Sequence, residues 1–135
     1  DLISVGQSAG WLIYEGWLPL PELLARLSHF HAGICPVHNL PNYRHNLLTK
    51  VLDYLSAGLP VVSSNLPGIM DQLGSSESII YFEAGNTYDL VAAIKQLMDE
   101  SFRRLAADGA YNLAAKFSWA SQSKVLEKIY VRYLG

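Results

Sequence analysis

Residues Lys50–Ser64 read KVLDYLSAGLPVVSS, and the order of residue types in this stretch decides the fold class. The spacing predicts a short amphipathic helix over about Leu47 to Ala57, a glycine stop and a buried strand over Pro60–Ser64. Lys50 and Asp53 stand at i and i+3 and so share a helix face, while Val51, Leu52 and Leu55 face elsewhere. Asn46 is placed to cap the helix N-terminus, and Gly58 can end it with a positive φ. A helix with one packed side and a short charged stripe, feeding a strand of parallel type, is the architecture of a ligand cleft in an α/β domain.

On either side of this stretch, apolar runs alternate with helical patterns. Leu2–Val5 and Trp11–Glu15 read as strands, with Gly6–Gly10 a loop between them. Pro21 is set to open a helix that carries Leu23, Leu24 and Leu27 on one side. Ala32–Val37 is continuous rather than alternating and reads as a buried strand, and His38 to Arg44 is a loop marked by Asn39, Pro41 and Asn42. Beyond Ser64, Leu66–Gly68 makes a turn, Ile69–Leu73 a helical turn and Ser78–Phe82 a strand. The last third is helical. Asn86 and Asp89 are spaced as a capping box ahead of Leu90, Ile94, Leu97 and Met98. Ser101 caps a helix with Phe102, Leu105 and Leu113, and Ser118 caps another that turns Trp119, Leu126, Ile129, Tyr130 and Tyr133 inward.

The predicted fold class is therefore α/β: a Rossmann-like, mostly parallel sheet with helices on both faces and a helical C-terminal third. Gly6–Gly10 is too short for a parallel crossover, so the first strand either runs antiparallel or pairs with a strand not adjacent in sequence. Rossmann-type order puts the first strand in mid-sheet, and its loss leaves a hole there.

The chain has 135 residues, half of them hydrophobic and 16% charged. That is one domain by length and too apolar for disorder. The chain opens at Asp1 without an initiator Met, and we expect a single but incomplete domain, residues 1–135, cut from something longer. As an isolated piece it is expected to melt below about 65 °C, within or under the usual mesophile range. A net charge of −2 points to no nucleic-acid partner. No apolar run approaches the ~20 residues of a membrane span. Cys35 is alone and reads as a buried thiol, in keeping with a reducing, cytoplasmic setting. Four histidines (His29, His31, His38 and His45) have no carboxylate or Cys companions at ligand spacing, so no metal is expected.

The central segment resembles the donor-binding motif of GT-B glycosyltransferases of the group 1, family 4 type, which runs Lys-x-x-Glu-Tyr and ends Gly-x-Pro-Val-Val. Lys50, Asp53, Tyr54, Gly58, Pro60, Val61 and Val62 stand in its places, with Asp for Glu. Leu66-Pro67-Gly68-Ile69 is similar to the family's turn after that strand. Phe117-Ser118-Trp119 is similar to the start of its final helix, which crosses back toward the other domain. The resemblance implies transfer of a sugar from a nucleotide donor, such as a UDP- or GDP-sugar, to an acceptor hydroxyl. It also implies retention of the anomeric configuration, no metal for the transfer and no cofactor beyond the donor substrate.

On that reading Lys50 and the backbone from His45 through Asn46 and Leu47 to Leu48 hold the phosphates, and Asn46 caps the helix or contacts the donor. Asp53 accepts both ribose hydroxyls, a role for an ionised group with two oxygens. Many members carry an acidic residue at the position His45 occupies, and His45 is not an equivalent carboxylate. No residue commands the role of catalytic base. A helix end supplies about 0.3–1 kcal/mol, up to ~2 when partly buried, against roughly 4–8 kcal/mol for a micromolar-to-millimolar donor. The phosphate clamp and the acceptor-binding N-terminal domain are thus expected in regions absent from this chain, where membrane association also stays open. Two blander readings stand beside this one. Lys50 and Asp53 can form a solvated ion pair worth a few tenths of a kcal/mol, or the fold can serve as a non-enzymatic, flavodoxin-like binding module.

Overall fold

The computed structural model describes residues 1–134. In chain order the elements are α1 (Leu2–Ser8), α2 (Leu20–Leu27), β1 (Gly33–Cys35), α3 (Thr49–Ser56), β2 (Val61–Ser64), α4 (Pro67–Leu73), β3 (Ile79–Phe82), α5 (Thr87–Gln96), α6 (Glu100–Asp108), α7 (Ala110–Ala115) and α8 (Trp119–Leu134). The three strands form one parallel sheet in the order β1-β2-β3. Its register sets Gly33 beside Val61, and Val61 in turn beside Ile79. The α/β class and the parallel sheet agree with the sequence reading. The sheet is continuous, with no hole in it, because β1 lies at one edge and β2 at the centre.

Side chains alternate across a strand, and here the alternation builds two cores. Cys35, Val61 and Ile79 face one side, where they meet Val51 and Leu55 of α3, Ile69 and Leu73 of α4, and Ala110 and Leu113 of α7. Val62, Ile80 and Phe82 face the other, against Ala93 of α5, Leu97 and Ala106 of α6. Full burial of a Val, Leu or Ile contributes about 1.5–3 kcal/mol, so α3 is held chiefly by Val51 and Leu55, both completely buried. Gly58 ends the helical segment with φ 76°, as its position predicts.

Buried serines stitch the strand ends. Ser64 Oγ accepts the Val37 N–H at 2.9 Å and donates to the Cys35 carbonyl at 3.3 Å. This pins the chain leaving β1 to the end of β2. Cys35 is fully buried, and burial pushes its thiol above the ordinary range against the pull of the Lys50 charge.

Several expected elements differ. Leu2–Val5 is helical, because Asp1 caps it: the carboxylate accepts the Ser4 N–H at 2.9 Å and the Ser4 hydroxyl at 3.1 Å. The crossover problem at Gly6–Gly10 disappears with that strand. Among the described residues Trp11–Glu15 pairs with no strand, and Ile13 is 82% exposed; a short apolar run does not by itself fix strand over coil. The helix predicted from Ser101 to Leu113 is broken at Gly109, which lets α6 bury Ala106 on one face of the sheet while α7 buries Leu113 on the other. Its cap is Asp99, which accepts the Phe102 N–H at 2.8 Å, not Ser101. At α5 the Asn86 side chain accepts the Asp89 N–H at 3.1 Å. The Asp89 carboxylate, however, reaches Glu83 N instead of closing the capping box. Ser118 caps α8 through the Ser121 N–H at 3.2 Å. No residue of α8 is buried, so Trp119, Leu126, Ile129, Tyr130 and Tyr133 do not face the core of this chain.

Candidate functional site

The loop from Pro36 to Leu48 leaves the carboxyl end of β1 and delivers the chain to α3. Its first half is built from tight turns, with Tyr43 and Arg44 both donating to the Leu40 carbonyl at 2.9 Å. Asn46 belongs to this turn structure and not to the helix: its side-chain amide donates to the Asn42 carbonyl at 2.7 Å. Leu48 occupies the N-cap position, with no side-chain cap at all. The expected Asn46 cap is thus corrected, because the loop's own carbonyls compete for that amide. Asn46 thus lies outside α3, while Lys50 and Asp53 both lie on it.

The six candidate residues divide by burial. His45, Asn46 and Lys50 are exposed, and Asp53 is half-buried. Leu47 and Leu48 are also half-buried and pack against the core under α3 and α4. Among the described residues no ion pair joins Lys50 to Asp53; the side-chain pairs are Arg26 with Glu15 and Glu22, and Arg104 with Glu100. The ion-pair reading of that stripe therefore fails. Lys50 stands in the first turn of α3, at the helix end that receives the loop from β1, and its charge pulls the Cys35 thiol down against the effect of burial. Asp53 sits one turn further on, and desolvation raises its carboxyl above the ordinary range.

Beside Asp53 is a hollow of about 500 Å³, within the range of small-molecule sites. Leu52, Asp53 and Ser56 form one wall, and Tyr111, Ala114, Phe117 and Trp119 of the α7–α8 corner form much of the other. A separate hollow of about 180 Å³ lies over the strand tips, between Val37, His38 and the start of α5 at Asn86 and Thr87. Asp53 therefore opens onto the flank shared by α3, α7 and α8, apart from the hollow over the strand tips. Chemically, the larger one offers a carboxylate acceptor for hydroxyls, set beside aromatic faces able to stack on a ring.

Two features of the site escaped the sequence reading. Tyr111 and Ala114 come from a helix whose existence depends on the break at Gly109, and no local pattern near Asp53 announces them. Gly68 lies within the first turn of α4 without a positive φ. Leu66–Gly68, expected as a turn, instead opens α4, and a helical glycine without a positive φ marks a close approach that the turn reading hid.

The model of the family described as "Glycosyl transferases group 1" matches residues 4–100, and the chain belongs to that family. It is similar to "O-antigen chain mannosyltransferase B" of Escherichia coli, at 28% identity over 88% of this chain and 30% of the relative. It is also similar to "D-inositol 3-phosphate glycosyltransferase" of Corynebacterium kroppenstedtii, at 28% identity over 67% of this chain and 20% of the relative. A third relative is "Glycogen synthase" of Mycobacterium tuberculosis, at 25% identity over 87% of this chain and 28% of the relative. The chain thus spans less than a third of the length of each. No solved structure matches it.

Proposed function

We propose that this chain is the donor-binding part of a retaining glycosyltransferase that moves a sugar from a nucleotide donor, of the UDP- or GDP-sugar kind, to an acceptor hydroxyl. The observation that carries the reading is Asp53, a half-buried carboxylate in the family's motif position with a hollow of about 500 Å³ beside it. Asp53 accepts the two ribose hydroxyls. Lys50, at the strand-tip end of the same helix, and the backbone from His45 to Leu48 serve the phosphates. The N-terminal domain of the full-length protein supplies acceptor contacts. The relatives' names, each a sugar-transferring enzyme, support transfer chemistry. A non-enzymatic, flavodoxin-like module has no observation in its favour beyond the parallel sheet itself.

Hydrogen bonds to a charged group contribute about 1.5–3 kcal/mol. Asp53→Ala in the full-length protein is therefore expected to raise KM for the nucleotide sugar by about tenfold or more. Steady-state kinetics with the donor varied measures this, and an unchanged donor KM removes the ribose assignment.

A further inference from the structure

A Cβ built on Gly68 would overlap the carbonyl carbon of His45 and stand 2.6 Å from Asn46 N and 2.7 Å from His45 O. These are backbone atoms, so the neighbour cannot rotate out of the way as a side chain does. The contact is also hydrogen-bonded, since Gly68 N–H donates to the Arg44 carbonyl at 2.8 Å. Gly68 is buried and sits in the first turn of α4, over Ile69, which is itself completely buried in the core. One side of this contact is therefore a fixed part of the core. The other is a loop of exposed residues, Asn42 to Asn46, tied otherwise by its own short-range turns.

From these contacts we infer that Gly68 is a positioning residue for sugar-donor binding: its bare Cα seats the His45–Leu48 backbone, and through it the start of α3, against α4. This rests on the donor-binding reading of that backbone and adds to it the part that holds it in place. The missing side chain is what matters here, because the backbone at Gly68 has no positive φ and any residue type adopts it. Adding a methyl group forces the loop outward or twists the first turn of α4. Either way the N–H groups and Lys50 are displaced from the positions a diphosphate meets.

The test compares three variants of the full-length protein. Gly68→Ala is expected to raise donor KM by about tenfold or more, in line with the cost of small misplacements at a binding site, and to leave acceptor KM unchanged. It is also expected to speed amide hydrogen exchange at Arg44 to Leu48. Gly74→Ala, at the other end of the same helix, strains a residue with φ 64°. It is expected to lower Tm while leaving donor KM and exchange at 44–48 unchanged, which separates positioning from a general loss of stability. Asp53→Ala monitors the site itself. If Asp53→Ala raises donor KM and Gly68→Ala does not, the inference is overturned and the donor site stands. If neither variant alters donor KM, the donor-binding reading falls and the positioning role falls with it. Unchanged exchange at 44–48 in Gly68→Ala also overturns the seating.

Discussion

The stretch from Gly33 to Leu97 and the helix Trp119–Leu134 are both rich in apolar residues, yet they meet opposite fates. In the first, Val51, Leu55, Val61, Val62, Leu66 and Ile69 are completely removed from solvent. In the second, Leu126, Ile129 and Tyr130 remain about half exposed and nothing is buried. The difference is in what surrounds them. The strand–helix alternation of the first stretch folds back on itself, so each apolar face finds another within the same few dozen residues. The last helix leaves the α7 corner at Phe117 and Ser118, and among the described residues none of its apolar side chains is buried against another element. Apolar composition tells which residues seek cover, and connectivity tells whether the cover is in the same chain.

The sharpest way to break this contrast is at Leu55, completely buried between α3 and the sheet. Leu55→Ala should cost about 2–5 kcal/mol, read as a large fall in the urea midpoint or as a failure to fold. A loss under about 1 kcal/mol, the range of tolerated volume-conserving swaps, contradicts the placement of α3.

Ile129→Ser on α8 sharpens the contrast from the other side. In this chain it should alter stability by no more than about 0.5 kcal/mol, as for surface positions. A large destabilisation in the same denaturant titration means that α8 packs on the domain after all.

The smallest effect concerns Asp53, whose carboxyl is raised above the ordinary range by desolvation. With the folded value above the unfolded one, the folded state holds the proton more tightly. Stability should therefore fall as pH rises from the ordinary carboxylate range through the raised folded value. Asp53→Asn removes that dependence. It should match wild type below the window and melt higher above it, as thermal melts across pH will record. Identical pH profiles for the two proteins contradict a desolvated carboxylate.

Most of the central fold was legible because its signals are local. Gly58 stops its helix where the sequence places a stop, and Asn86 caps α5 as its position predicts. The strands at 33–35, 61–64 and 79–82 lie inside the three apolar runs from Ala32 onward. The N-terminal twenty residues were not legible: Leu2–Val5 and Trp11–Glu15 have strand-like composition, but a strand is a pairing, and pairing is not a local property. Asn46 was misread for a related reason. An amide near a helix start has several carbonyls to choose from, and the Asn42 carbonyl took it. At the site, motif spacing located Asp53 and Lys50 on one helix. It did not foresee that Tyr111, Phe117 and Trp119 would face Asp53 across a hollow, because that meeting depends on the break at Gly109 and the docking of α7 on α3.

The most direct test of the central claim asks whether Asp53 senses ribose hydroxyls. Titration calorimetry on the full-length protein compares UDP and GDP with their 2′-deoxy forms, for wild type and for Asp53→Ala. Wild type is expected to bind one of the ribonucleotides about tenfold or more tightly than its deoxy form, the scale of a hydrogen bond to a charged group, and Asp53→Ala is expected to lose this preference. An equal preference in both proteins, or none in wild type, contradicts the claim.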